Sequence, residues 1–102
     1  MIVQVTSTGG GFSNNQFNLQ IPGGGVGSHY QGCTRQFSGS YSWGAQYGGV
    51  NQRSDCANLP AALQSGCHWR FDWFRNAQNP RIIFQQVVCP SVLTTKTQCV
   101  RQ

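Results

Sequence analysis

Short alternating apolar segments, abundant glycine and a single helical patch predict a mainly β fold with long loops and one or two short helices. The chain has 102 residues, 38% apolar and only 9% charged, with 13 glycines. At that length it is one domain at most, and folding buries only about two-thirds of the unfolded surface. A surface so poor in charge, against roughly 25% in ordinary domains, is made of Ser, Thr, Asn and Gln. Such a surface suits work outside cells on neutral polymers.

Residues 2–6 alternate and are β-branched, which predicts a strand ended by Thr8-Gly9-Gly10-Gly11. Residues 16–21 predict a second strand, with Phe17, Leu19 and Ile21 on one face and Asn18 and Gln20 on the other. Pro22 and the glycines at 23, 24, 25 and 27 then break regular structure and allow positive φ and close backbone approach. No strand-glycine-helix unit follows, so a nucleotide site is rejected. Residues 34–54 form a long polar excursion with Trp43 and Tyr47 in its middle. A helix of at most two turns is expected around Pro60-Ala61-Ala62-Leu63-Gln64, capped by Asn58 and ended by Gly66. Residues 68–74 predict the strongest strand, with Trp69, Phe71 and Trp73 as core and His68, Arg70 and Asp72 on the other face. Asn79-Pro80 turns into a strand over residues 81–88, and the tail from Ser91 to Cys99 carries one helical turn.

The net charge of +5 comes from scattered cations, Arg35, Arg53, Arg70, Arg75 and Arg81 among them, against Asp55 and Asp72 alone. Without a basic cluster there is no nucleic-acid footprint, and no apolar run reaches membrane-span length. Five cysteines in so short a chain point to an oxidising compartment. Cys33, Cys56, Cys67, Cys89 and Cys99 contain no C-x-x-C pair, and with His29 and His68 they show no zinc spacing, so no metal is expected. Their odd number leaves at least one thiol without an internal partner. The opening Met1-Ile2-Val3-Gln4-Val5-Thr6 is strand-like rather than a secretory leader, so a mature or truncated domain is expected.

Several ordered stretches carry a family resemblance. Met1 to Gly10, then Asn15-Gln16-Phe17-Asn18-Leu19-Gln20-Ile21-Pro22-Gly23-Gly24-Gly25-Val26-Gly27, resemble the middle of family 45 glycoside hydrolases, the endoglucanases. Gly32-Cys33-Thr34-Arg35-Gln36-Phe37, Gln46-Tyr47-Gly48-Gly49-Val50 and the run from Gly66 to Ala77 fit the same family in the same order. The resemblance implies that residues 1–102 are the C-terminal part of a catalytic domain, forming part of a six-stranded double-psi β-barrel of the kind shared with expansins, the N-terminal part being absent. It implies a secreted enzyme without cofactor, cutting internal β-1,4 bonds of cellulose or a related glucan with inversion. Its expected partners are that glucan and the missing N-terminal half, with neither nucleic acid nor membrane.

Inversion requires two carboxyl groups about 6.5–9.5 Å apart, an acid that protonates the leaving oxygen and a base that activates water. The family's base lies in a Tyr-Trp-Asp-Cys-Cys motif, which these residues lack. The acid position maps onto Asn18, and the position of a supporting Asp onto Gly11. An amide has no acidic proton to give, so the chain is expected to be inactive by itself. Asp72 is expected to pair with Arg70 and Arg75, and Asp55 to serve as a cap or salt-bridge partner in a turn. The resemblance also pairs Cys56 with Cys67 and leaves Cys33, Cys89 and Cys99 as orphans, with Cys89–Cys99 a default bridge if geometry allows. Tyr30, Trp43 and Tyr47 stack on glucose rings or pack their own loops, both readings standing. His29 lines the cleft or faces solvent. Three roles remain open: an enzyme fragment, a non-catalytic expansin-like glucan-binding module, and a degenerate product. Strand edges and unpaired thiols predict a poorly stable or associating chain.

Overall fold

The computed structural model describes residues 1–7, 9 and 15–100. Its helices are α1 (Gln31–Gln36), a 3₁₀ helix (Arg53–Asn58), α2 (Ala61–Asp72) and α3 (Ser91–Thr97). The chain divides into two units, one of Met1–Phe17 with Arg81–Gln102 and one of Asn18–Pro80.

The second unit is built around α2. Pro60 precedes its first turn in extended conformation, φ −53° and ψ 145°, and the ring cannot lengthen the helix backwards. The inward residues Leu63, Cys67, Arg70 and Phe71 recur at helical spacing. This overturns the strand expected over 68–74. Alternation over five residues also places i and i+4 together on a helix, and Trp69 and Trp73 stack there with ring centroids 5.5 Å apart. The core assignment of the three aromatics changes with it: Trp69 and Phe71 are half-buried, but Trp73 is exposed. The helix is also longer than two turns. Asn58 ends the 3₁₀ helix rather than capping α2, and Gly66 lies inside α2. A Cβ on Gly66 would stand 2.5 Å from Pro22 Cγ, so the missing side chain permits close approach and does not end the helix.

Val50, Cys56, Leu59 and Cys67 form the core, with Trp43, Leu63 and Phe71 packed against it. A disulfide joins Cys56 to Cys67 across a Cα–Cα distance of 5.7 Å, tying the 3₁₀ helix to α2. Cys33, Cys89 and Cys99 are free thiols, so the default Cys89–Cys99 bridge is not formed.

In the first unit, α3 realises the helical turn expected in the tail. Gln4 joins it to the N-terminal segment: Gln4 Nε2 donates to Cys99 O at 2.7 Å, and Thr97 Oγ1 donates to Gln4 Oε1 at 2.7 Å. Phe17 and Phe84 meet edge to face at 4.9 Å. Among the described residues no segment is a β-strand, and the only bridge is Ala45 with Gly49. The strands expected over 2–6, 16–21 and 81–88 are segments without ladder pairing, with Ile2, Val3, Val5, Phe17, Ile83 and Val88 exposed. Alternation alone does not make a strand, because a ladder needs a neighbouring chain to exchange hydrogen bonds.

Candidate functional site

The glycine run is held by backbone contacts. Gly23, Gly25 and Gly27 have φ of 80°, 109° and 67°, which L side chains adopt only at a cost. The Gly23 carbonyl receives the Val50 N–H at 2.9 Å and Arg70 Nη1 at 2.6 Å. A Cβ on Gly49, itself at φ 72°, would collide with that carbonyl. Gly27 N donates to Gln46 O at 2.9 Å, and Gln46 Nε2 returns a bond to Gly27 O at 3.0 Å. The turn carrying Tyr47 is thereby docked on the glycine run.

Arg70 is the central tie, although the strand expected over 68–74 sets it on the face opposite Trp69, Phe71 and Trp73. It is 5% exposed and donates to Gly23 O, to Val50 O at 3.0 Å and to Gly48 O at 3.1 Å. Burial pulls its pKa below the ordinary arginine value, yet a guanidinium keeps its proton in proteins. The signal available was its spacing from Leu63 and Cys67, seven and three residues away, which turns it inward only on a helix.

Beyond the glycine run, Ser28, His29, Tyr30, Gln31, Gly32 and Arg35 line a depression. Of the expected glucan contacts, His29 and Tyr30 meet here, both exposed. Tyr47 is 77% exposed on its turn. Trp43 is instead packed on the core between Phe37 and Tyr41, with centroid distances of 6.1 and 6.0 Å. Asn18 is exposed in its segment without regular structure, and Gly11 lies outside the described residues.

Asp72 does not pair with Arg70 or Arg75. Turned outward on α2, its carboxylate accepts from Arg53 Nε at 2.8 Å and from Nη2 at 3.1 Å. The hydrogen bond from Arg53 holds its pKa below the usual carboxylate range. Asp55 sits half-buried in the first turn of the 3₁₀ helix, with Gln52 Nε2 at 3.5 Å. Among the described residues, no three of His, Cys, Asp and Glu gather as metal ligands.

These residues have close counterparts in known proteins. The chain belongs to glycosyl hydrolase family 45, whose pattern matches residues 1–100. It is 54% identical over 102 residues to an endoglucanase of Cryptopygus antarcticus, covering 99% of this chain and 45% of that protein. It is 54% identical over 101 residues to a putative endoglucanase type K of Fusarium oxysporum, covering 99% of this chain and 26% of that protein. The crystal structure of the cellulase from the Antarctic springtail Cryptopygus antarcticus superposes with a TM-score of 0.69 at 54% identity, covering 79% of this chain and 39% of that one. The chain thus spans less than half the length of these relatives.

Proposed function

We propose that residues 1–102 are the C-terminal part of the catalytic domain of a secreted endo-β-1,4-glucanase, carrying Asn18 where the inverting acid belongs and unable to hydrolyse cellulose by themselves. The observation that carries this reading is the fate of the carboxylates. The sequence has only two, Asp55 and Asp72. Asp72 is kept ionised by Arg53, and an ionised carboxylate has no proton for a leaving oxygen. Asp55 is a turn residue beside a disulfide cysteine. The amide of Asn18 donates hydrogen bonds but does not protonate an alkoxide. In this reading the base comes from the family's Tyr-Trp-Asp-Cys-Cys segment, and Gly11 stands where relatives carry a supporting Asp.

The segments over 2–6, 16–21 and 81–88 are read as strands of the double-psi barrel, their ladder partners supplied by the rest of such a domain. Their alternating side chains and unpaired backbone support that assignment. The Cys56–Cys67 disulfide and the weakly charged surface support secretion.

The test joins these residues to a segment carrying the family's Tyr-Trp-Asp-Cys-Cys motif, with either Asn18 or Asn18→Asp. Restoring the acid is expected to raise the release of reducing ends from soluble cellulose about 10²–10⁴-fold. Equal, substantial rates from both chains would show that the acid lies elsewhere. A second reading, a non-catalytic expansin-like glucan binder, is favoured by the exposure of Tyr30 and Tyr47, 58% and 77%, and predicts retention on glucan without cleavage.

A further inference from the structure

Within the second unit the arginines differ in how they are satisfied. Arg53 is spent on Asp72, and Arg70 is buried against three carbonyls. Arg35, in the last turn of α1, lines the depression with His29 and Tyr30. Among the described residues its one side-chain bond is Nη2 to Gln31 Oε1 at 3.0 Å, a neutral acceptor. A guanidinium has five N–H donors, so most of its fork stays open. Neither carboxylate of the chain belongs to the lining.

The composition of the depression is therefore one-sided: a cation with free donors, a phenol, an imidazole, a hydroxyl and an amide, and no anion. We propose that it binds carboxylate-bearing sugar units of an acidic β-glucan, with Arg35 selecting the carboxylate. The inference rests on the glucan-directed reading above and adds its substrate class. A planar fork takes a carboxylate through two parallel hydrogen bonds. Tyr30, 58% exposed, offers a ring face for the apolar side of a sugar. Ser28, His29 and Gln31 supply donors and acceptors for hydroxyls. The net charge of +5 raises the encounter rate with a polyanion without choosing the place where it docks.

Affinity electrophoresis of the 102-residue chain through gels of carboxymethylcellulose and of hydroxyethylcellulose tests this directly. Retention is expected to be stronger on the charged polymer. Arg35→Gln, at an exposed position, is expected to weaken that retention about three- to tenfold, and retention on the neutral polymer by clearly less. Arg75→Gln removes the same charge from outside the depression and is expected to leave the preference intact. Salt at about 0.3 M is expected to shrink the preference, because exposed charges are then screened within several ångströms. Equal losses from Arg35→Gln and Arg75→Gln would overturn the proposal in favour of bulk charge. Equal retention of the parent chain on both polymers would overturn it while leaving the glucan reading intact. Retention on neither would overturn both.

Discussion

Arg70 carries its charge into the second unit and leaves no buried side-chain donor there unpaired. Its three acceptors, Gly23, Gly48 and Val50, belong to two loops, the glycine run and the turn that carries Tyr47. Arg70→Met keeps much of the volume but strands those carbonyls away from water. Hydrogen bonds to charged groups contribute about 1.5–3 kcal/mol each and are not additive, so a loss of about 3 kcal/mol or more is expected in urea denaturation. Unchanged stability would refute the role given to this side chain. Arg53 and Asp72 make the opposite case, a pair more than half exposed on both sides, 56% and 54%. The folded Asp72 carboxyl is held below the usual carboxylate range, chiefly by the Arg53 hydrogen bond. Its contribution is therefore present above the unfolded pKa and lost as pH falls through the folded one. The melting temperature of Arg53→Gln is expected to lie slightly below the parent at pH 7 and to converge with it in acid, once pH has fallen through the lowered pKa of Asp72. A difference that persisted in acid would show that Arg53 acts through packing and not through its partner.

At the scale of elements, the disulfide fixes how the 3₁₀ helix meets α2. Cys56 and Cys67 are fully buried and 11 residues apart. A loop of that length contributes roughly 2–3 kcal/mol through the unfolded state. Dithiothreitol is expected to lower the melting temperature of the second unit by several degrees, and no change on complete reduction would contradict the account. The family pattern made this pair legible from sequence. The conformational freedom of Gly23, Gly25 and Gly27 was legible from composition. The helix at 68–72 was not, because Trp69, Phe71 and Trp73 satisfy a period of two as readily as they pair i with i+4. Gly66 misled for a related reason: a glycine needed for contact with Pro22 has the same letter as one that ends a helix. Arg35 carried no signal at all, since its meaning depends on which acids lie beyond reach.

Each unit considered by itself shows how differently one sequence settles. The unit of Asn18–Pro80 contains the buried residues, the disulfide and the tied loops. The unit of Met1–Phe17 with Arg81–Gln102 leaves Ile2, Ile83 and Val88 58%, 103% and 93% exposed. Alternating apolar positions predicted strands there and the described residues form none, because pairing is a property of neighbouring chain and not of one segment. The same distinction governs chemistry, because inversion requires two carboxyl groups facing each other across a bond. The most direct measurement is the release of reducing ends from soluble cellulose by the purified 102-residue chain, across pH 4–8. The account predicts none above a no-protein control. Turnover that rose in proportion to the chain's concentration and disappeared with Asp55→Asn or Asp72→Asn would contradict it, because a carboxylate assigned to structure would then be performing the catalysis.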